Sequence, residues 1–373
     1  MRSALRSATH RSQTMLPLLE GLERGLPLLA PLSLSAATQE TLRGVARELP
    51  DAWYCLALEA RLTTDDPRVD LLVCARADDG GRRELLAGLS RLVTSLPPSS
   101  AWHRIHDFCR EWAREGSTLN QDVPFIWLEF DLPPGPRAPA EPFLFFCTQR
   151  DFLTSPFGYL KSLDGEANTQ ARQLKLIDEG LSLLLGQRPW PTVLDRVARC
   201  LATLPLAGHL LHVAPLSLRS LDAVRLVLTL PRNEVLTYLQ SIEWPGRLDE
   251  VRSLLERLHA ESPMVGIQLD VGAVIGGALG LQFYFSGSDD RWTSLLDAMV
   301  DLGLCAPSKR GAVLSWPGKE TVSLSSRAWP VRLRRELELK LVCRPGQPPL
   351  VKAYFGMGAD FVLFAEPVPV PSP

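Results

Sequence analysis

Charged and aromatic side chains alternate with apolar residues along several short segments of this 373-residue chain. Such side chains offer three kinds of chemistry: arginine and lysine stabilise a developing anion, aromatic faces attract a cation, and a carboxylate within hydrogen-bond reach removes a proton. The carboxylate in this pattern is Glu59, the cationic side chains are Arg68, Arg225, Lys340 and Lys352, and the aromatic ones are Trp53, Trp127, Tyr284 and Tyr354.

The same residues also fit a purely structural role. Glu59 and Arg61, or Arg68 and Asp70, would satisfy one another as cross-strand partners, and such pairs stabilise hairpins by roughly a few tenths of a kcal/mol without any function. Tyrosines are common in strands because they pack well on a pleated surface. The residue types alone therefore leave the chemical and the structural interpretation open.

Composition and motifs exclude several classes of protein. Hydrophobic residues make up 46% of the chain and the formal net charge is -2, which is typical of a globular protein and does not indicate nucleic-acid binding. The seven cysteines are dispersed and form no Cys-x-x-Cys pair, so a zinc site is not expected. No phosphate-binding P-loop, dinucleotide fingerprint, zinc-protease or nucleophile-elbow motif occurs.

The expected location is the cytoplasm. Residues 1–14 are polar and lack the apolar run of a secretory signal. Residues 265–285 are long and largely apolar, but they contain Gln268, Asp270 and Gln282 around a glycine-rich stretch at 272–280. Charged and helix-weakening residues are costly in a membrane helix. We therefore expect two strands joined by a glycine-rich turn and no membrane association.

Apolar and polar positions alternate in pairs of segments, which predicts β-hairpins. Each hairpin lies between stretches with helical periodicity. The residues at 306–335 are an exception, because they are rich in proline, glycine and tryptophan, and we expect Trp316 and Trp329 there to form a lid. The predicted hairpins are 53–62 with 68–76, 125–132 with 142–148, 209–216 with 223–230, 265–271 with 279–286, and 337–343 with 350–355, and the predicted helices are 38–48, 82–92, 102–114, 168–185, 191–204, 233–242, 248–260 and 291–302.

Five such units predict an α/β fold in which ten antiparallel strands form one sheet with helices on one face. The sheet either stays open or closes into a barrel, and a barrel of this size has a lumen wide enough for a ligand. Apolar residues such as Leu56 and Leu58 would face the helices, and their polar neighbours would line the lumen. We expect an N-terminal segment at 1–35, one barrel domain at 36–366 and a proline-rich tail at 367–373.

Two carboxylates, Glu129 and Asp131, alternate onto one face of a predicted strand. In a closed barrel they would lie near Asp70 and Asp270 and could hold Mg²⁺, which prefers oxygen ligands. The pair would also suit acid–base chemistry, and salt bridges to arginine or lysine are the structural alternative. His209 and His212 lie three residues apart on a predicted strand, so they are expected on opposite faces and not as ligands of one metal.

The order of elements resembles the ABBA prenyltransferase family, whose repeated α–β–β–α units form a ten-stranded antiparallel barrel, the PT barrel. The resemblance spans nearly the whole chain in topology. It implies transfer of an isoprenoid from an allylic diphosphate to an aromatic ring or a peptide side chain inside the barrel. It also implies that Glu59 accepts a proton or a hydrogen bond from the aromatic acceptor, and that the diphosphate is bound by Arg68, Arg225, Gln282, Tyr284, Lys352 and Tyr354.

The sequence departs from this family pattern at two strands. The segment Phe143–Cys147 lacks the Lys-x-Tyr pair of the family, and Val227 and Thr229 occupy positions where lysine and tyrosine would be expected. We expect Lys340 to join the diphosphate site and Trp53 and Trp127 to shield the acceptor and the allyl cation. Mg²⁺ at Glu129 and Asp131 would bridge to the diphosphate.

The expected function is therefore a prenyltransferase with an isoprenyl diphosphate and an aromatic or peptide acceptor as its partners. Two alternatives remain open. One is another peptide-modifying enzyme that uses lumenal carboxylates on the same barrel, and the other is a non-catalytic protein that binds a peptide or small molecule.

Overall fold

The computed structural model describes residues 13–63, 68–77, 80–132, 141–149, 170–217, 221–258, 262–285, 289–325 and 327–361. The predicted proline-rich tail at 367–373 lies outside these residues, as does most of the polar stretch at 1–14. The described strands form one antiparallel sheet. Their bounds are β1 Gln13–Thr14, β2 Cys55–Arg61, β3 Val69–Arg76, β4 Phe125–Phe130, β5 Phe143–Cys147, β6 His209–Pro215, β7 Val224–Pro231, β8 Met264–Val271, β9 Ile275–Tyr284, β10 Gly318–Val322, β11 Val331–Arg344 and β12 Gln347–Phe361.

Ten of these described strands close into a barrel, as one of the two predicted arrangements requires. Neighbours in sequence pair from β2 through β9, β9 pairs with β11, and β11 pairs with β12. The ring closes where β12 pairs with β2, for example at Tyr354 opposite Glu59. The hairpin of β11 and β12 extends beyond the ring at one end, where β1 pairs with β12 and β10 pairs with β11.

The helices surround the barrel and cover the apolar face of its strands. Serine caps begin three of them, at Ser35, Ser100 and Ser117, where each side-chain oxygen accepts a hydrogen bond from a backbone N–H of the first turn. The helices in the described part are α1 Leu18–Gly25, α2 Ala36–Glu48, α3 Gly81–Val93, α4 Ala101–Ala113, α5 Thr118–Asp122, α6 Gln170–Leu185, α7 Pro191–Ala202, α8 Val235–Ser241, α9 Leu248–Arg257, α10 Arg291–Asp301 and α11 Pro307–Ser315.

Alternation along the strands separates two groups of buried side chains, as predicted. Leu56, Leu58 and Leu226 belong to the large apolar core between the strands and the helices. Their neighbours on the other face include Trp127 and Tyr284, which belong to a smaller cluster inside the barrel. The period of two in a strand therefore places the polar and aromatic residues of the candidate site in the lumen.

Three details of the predicted elements are corrected by the structure. The turn between β8 and β9 is short, and β9 starts at Ile275, so Gly276, Gly277 and Gly280 lie within a strand and not in the turn. The last hairpin is longer than predicted. The residues at 306–335 contain helix α11 and strand β10. Within the described residues, no helix is both long and apolar enough to cross a membrane.

The two tryptophans that were predicted to form a lid, Trp316 and Trp329, lie in different environments. Trp316 is 1% exposed, and its indole N–H donates to the carbonyl oxygens of Glu336 and Gly356, at 3.0 and 3.1 Å. Trp329 is exposed. Trp316 is therefore a core residue that fixes α11 against the last hairpin, and the lid prediction is wrong for this residue.

Candidate active site

Charged side chains from neighbouring strands meet inside the barrel because of the strand register. Lys352 on β12 lies opposite Arg61 on β2, and on its other side it lies opposite Lys340 on β11. Glu59, two residues before Arg61, lies opposite Tyr354. Residues directly opposite in an antiparallel pair point to the same face, so this register gathers the side chains of β2, β11 and β12 at one place in the lumen.

Three cations surround the carboxylate of Glu59, which is completely buried. The ammonium of Lys352 donates a hydrogen bond to its Oε1. The ammonium of Lys340 lies 3.6 Å from Oε2, and Nη2 of Arg61 lies 3.8 Å from Oε1. Burial alone would raise the pKa of Glu59, but the charges of Lys352, Lys340 and Arg61 outweigh it and hold this pKa well below its usual range. The carboxylate is therefore ionised.

Asp70 is the second carboxylate beside these cations. It accepts a hydrogen bond from Nη2 of Arg61 at 2.6 Å and one from the backbone N–H of Leu132 at 3.0 Å. Burial, and then repulsion by Glu59, raises the pKa of Asp70 to about 7 in spite of Arg61. Near neutral pH Asp70 is therefore only partly ionised, and the group formed by Glu59, Asp70, Arg61, Lys340 and Lys352 keeps a net positive charge. We call this group the Glu59 cluster.

Lys340 is the most enclosed cation of the Glu59 cluster, with 4% of the residue exposed. Its ammonium donates to Oε1 of Gln268 at 3.2 Å and lies 4.8 Å from the ring centre of Tyr354. A side chain at Gly280 would place its Cβ 3.4 Å from Lys340 and 3.0 Å from Gln268, so the glycine leaves room for both. Burial lowers the pKa of Lys340 to about 8, although Glu59 counteracts the effect.

This pKa predicts a pH dependence of anion binding. Above about pH 8 Lys340 loses its charge, so we expect the affinity for an allylic thiolodiphosphate to fall as the pH rises through 8. In Lys340→Met the affinity should be weaker than in the wild type below about pH 8 and should lack this fall, so that the two affinities converge at high pH. Calorimetric titrations of the wild type and the variant with the thiolodiphosphate, from pH 6.5 to 9.5, measure this affinity. Because protonation of the ligand affects both proteins equally, the difference between them reports on Lys340 alone. If the affinities of the two proteins changed with pH in parallel, Lys340 would not be the group that causes the pH dependence.

Two further polar pairs lie along the lumen. The guanidinium of Arg225 binds both carboxylate oxygens of Asp270, at 2.8 and 3.0 Å. Burial opposes the charge of Arg225, but the hydrogen bonds to Asp270 raise its pKa above the usual value. The side-chain amide of Gln282 donates to Oε1 of Glu338 at 2.6 Å. Arg225 therefore has a carboxylate partner of its own, whereas Lys340 and Lys352 share the carboxylate of Glu59.

A small cavity of about 50 Å³ opens in the middle of the lumen. This volume is far below the roughly 300–1,000 Å³ of a typical ligand pocket. The lumen is thus nearly filled by its own side chains, and a ligand must displace some of them. The cavity is lined by Ala57, Leu72, Trp127, Glu129, Phe145, His212, Val227, Gln268, Gln282, Glu338 and Tyr354.

The structure brings together most of the predicted site residues. Lys340, Lys352 and Glu59 form one cluster, and Gln282 and Tyr354 line the adjoining cavity together with Trp127. Tyr284 belongs to the aromatic cluster in the lumen, and burial raises its pKa above the usual value. The roles predicted for these residues stay predictions, but their common location is the one that those roles require.

Three predicted site residues lie elsewhere. Trp53 is fully buried in the core between strands and helices, so it does not face the lumen and cannot shield a cation there. Arg68 precedes β3 and is exposed, outside the buried cluster. Asp131 is also exposed, whereas Glu129 is buried in the cavity wall. No group of three or more histidine, cysteine, aspartate or glutamate side chains among the described residues could hold a metal ion.

Glu338 and His212 are among the lumenal residues that the sequence analysis did not assign to the site. Glu338 lies two positions before Lys340 on the same strand face, so the period of two could have identified it. His212 could not be found in this way, because β6 has a bulge between Leu210 and His212. The bulge puts His209 opposite Thr229 and His212 opposite Val227, on one face, so the prediction of opposite faces is wrong. Burial lowers the pKa of His212 to about 3, which keeps its imidazole neutral.

Known proteins match the structure but not the sequence. No family model and no curated protein matches the sequence. Among solved structures, the prenyltransferase PriB in its apo form is 14% identical with a TM-score of 0.52, and the match covers 92% of this chain and 96% of that one. AnaPT from Neosartorya fischeri is 10% identical with a TM-score of 0.52, with 91% of each chain covered.

A third similar structure contains ligands. It is 5-dimethylallyl tryptophan synthase from Streptomyces coelicolor in complex with DMASPP and Trp, which is 12% identical with a TM-score of 0.51, with 92% of this chain and 95% of that one covered. At such low identity the likeness concerns the fold alone.

Proposed function

We propose that this chain, which has the ABBA prenyltransferase fold, transfers an isoprenoid from an allylic diphosphate to an aromatic acceptor inside its barrel. One observation carries the proposal: Arg61, Lys340 and Lys352 converge on the buried carboxylate of Glu59, and the second carboxylate beside them, Asp70, is only partly ionised near neutral pH. One cation would neutralise this carboxylate, and buried charges are costly unless they are compensated. The excess positive charge of the Glu59 cluster is therefore what a diphosphate would neutralise.

The reaction would start with loss of the diphosphate. The bond between the allylic carbon and the diphosphate oxygen breaks, and both electrons leave with the oxygen. Lys340 and Lys352 would stabilise the developing negative charge, because fixed cations in a water-poor site require little reorganisation. Removal of one such preorganised group typically slows a reaction by roughly 10²- to 10³-fold.

Aromatic side chains next to the cluster would stabilise the allyl cation. Tyr354 is adjacent to Lys340 and Trp127 lines the same cavity, so both rings lie close to where the diphosphate would leave. Cation–π attraction is strongest when water is excluded. The ammonium of Lys340 already lies near the ring of Tyr354, where the allyl cation would bind. We therefore expect Lys340 to move away from this ring and toward the diphosphate when the substrate binds.

The acceptor would complete the reaction. A carbon of its aromatic ring forms the new bond to the allyl cation, and the ring then loses a proton. Glu59 is the base that we assign to this step, because it is ionised and held in the lumen. Its low pKa is no obstacle, since the protonated ring of the intermediate is a far stronger acid than a carboxyl group.

The test is a transfer assay with labelled dimethylallyl diphosphate, with and without Mg²⁺, and with tryptophan, tyrosine and peptide acceptors. We expect a labelled product with an aromatic acceptor. Products with peptides alone would favour the peptide-modifying alternative. Absence of both diphosphate binding and product would contradict the proposal and favour the non-catalytic binding protein.

A further inference from the structure

Two buried acids of the Glu59 cluster share one guanidinium group. Glu59 on β2 and Asp70 on β3 lie directly opposite each other, so their side chains point to the same face of the sheet. Nη2 of Arg61 lies 2.6 Å from Oδ2 of Asp70 and 3.8 Å from Oε1 of Glu59. Asp70 is 2% exposed, and Glu59 is completely buried. Two ionised carboxylates beside one nitrogen atom repel each other, so the pair favours a state in which one of them carries a proton.

The cations of the cluster are divided unequally between the two acids. Lys352 donates a hydrogen bond to Glu59, and the ammonium of Lys340 lies 3.6 Å from it. Asp70 forms its ion pair with Arg61, which it shares with Glu59. Burial and the charge of Glu59 raise the pKa of Asp70 to about 7, whereas the pKa of Glu59 is held well below its usual range. A proton that enters this pair therefore binds to Asp70, and Glu59 stays ionised.

The other charged and polar groups around Asp70 agree with this assignment. Asp131 follows β4, which pairs with β3, and it repels the carboxylate of Asp70. Arg68 precedes β3, is exposed, and accepts a hydrogen bond from Nη1 of Arg61 at its backbone carbonyl, at 3.3 Å. The backbone N–H of Leu132 donates to Oδ1 of Asp70 at 3.0 Å. A protonated carboxyl group still accepts hydrogen bonds, so Asp70 can gain a proton and keep this contact.

We propose that Asp70 is a positioning residue that takes up a proton when the diphosphate binds at the Glu59 cluster. The charge of the diphosphate makes an ionised Asp70 more costly, and a proton from the solvent forms the O–H bond of its carboxyl group. A neutral Asp70 attracts Arg61 less, so Arg61 becomes a third cation for the diphosphate, while Glu59 keeps its charge. This inference rests on the proposed function, since it assumes that the anion of the substrate binds at this cluster.

Binding of inorganic pyrophosphate tests the inference without any transfer. Calorimetric titrations at pH 7.5 in HEPES and in Tris, two buffers with different enthalpies of ionisation, give the number of protons taken up for each pyrophosphate bound. Asp70 is mostly ionised at this pH before binding. We expect the wild type to take up roughly 0.7 proton more than Asp70→Asn, which has no acid at this position. Protonation of the ligand and of Lys340, whose pKa is about 8, contributes to both proteins alike.

The affinity for pyrophosphate is a second readout, which a merely structural role of Asp70 would not produce. Asparagine resembles the protonated form of aspartate, so the variant does not have to gain a proton on binding. We expect Asp70→Asn to bind about fourfold tighter than the wild type at pH 7.5, because about a quarter of the wild type is then protonated at Asp70. At pH 6 Asp70 is mostly protonated, and the two affinities should be equal.

Asp122→Asn is the matched control. Asp122 on α5 is also 2% exposed and accepts a hydrogen bond from an arginine, Arg172, at 2.8 Å, but it lies outside the barrel. This variant should take up protons and bind pyrophosphate as the wild type does, and thermal melting checks that each variant folds. Asp70→Ser, a second variant without an acid, should lose the uptake as Asp70→Asn does. Equal proton uptake with and without an acid at position 70, or weaker binding by Asp70→Asn at pH 7.5, would overturn the inference.

The transfer assay separates this inference from the proposed function. Product formation, together with pyrophosphate binding that does not depend on the protonation of Asp70, would remove the inference and leave the prenyltransferase intact. Proton-linked pyrophosphate binding without product from any allylic diphosphate would support the role of Asp70 in anion binding and contradict the proposed function. A wild type that does not bind pyrophosphate would overturn the inference, whatever the transfer assay shows.

Discussion

Glu59→Gln should destabilise the protein strongly, and inorganic pyrophosphate should restore much of the loss. The substitution keeps the shape of the side chain but removes the one carboxylate that Lys352, Lys340 and Arg61 share. Removal of one partner from a buried ion pair costs about 3–5 kcal/mol, because the remaining charge is left uncompensated. An anion that binds the same cations in the native state stabilises it in proportion to its occupancy.

Urea unfolding with and without pyrophosphate measures both effects. The control is Glu40→Gln, since the side chain of Glu40 is 63% exposed and pairs with Arg47 on the surface. This variant should unfold as the wild type does, with the same small gain from pyrophosphate. A Glu59→Gln protein as stable as the wild type, or one that pyrophosphate does not stabilise more than the wild type, would show that Glu59 does not compensate the cations.

Lys352→Met should abolish most of the transfer activity without unfolding the protein. The substitution removes the cation that hydrogen-bonds Glu59, but Lys340 and Arg61 remain near the carboxylate and limit the loss of stability. We expect kcat/KM to fall by roughly 10²- to 10³-fold, which is typical when one preorganised charge at a developing anion is lost. Lys352→Arg should recover part of this loss, because it restores the charge in a different shape.

Single-turnover kinetics with dimethylallyl diphosphate separate binding from the chemical step. Lys175→Met is the control, because Lys175 on α6 is 68% exposed and pairs with Glu179 on the surface. It should keep wild-type rates. If Lys352→Met were as active as Lys175→Met, the Glu59 cluster would not be the site of the leaving group.

Local patterns in the sequence predict the strands and their two faces, and the resemblance to the ABBA family predicts that the sheet closes into a barrel. A period of two assigns Leu56 and Leu58 to the helix side and Cys55 and Glu59 to the lumen, and this assignment holds in the structure. The prediction is wrong where a residue type is selected for a reason other than the alternation of a strand. Glycines in β9 suggest a turn, but Gly280 lies in the strand because Lys340 and Gln268 need the space above it.

The candidate site is less predictable than the fold, because it depends on register and on strand ends. Arg68 has the right residue type and the right parity, yet it lies before β3 and is exposed. Trp53 lies before β2, where the alternation of the strand does not apply, and it packs against the helices. The bulge in β6 that brings His212 into the lumen leaves no signal in the residue types.

The central claim is that an allylic diphosphate binds at the Glu59 cluster inside the barrel. A crystal structure with dimethylallyl thiolodiphosphate, which resists transfer, tests it most directly. We predict diphosphate oxygens within hydrogen-bond distance of Lys340 and Lys352, with Lys340 moved away from the ring of Tyr354. A diphosphate bound only outside the lumen, with the cations still on Glu59 as they are now, would contradict the claim.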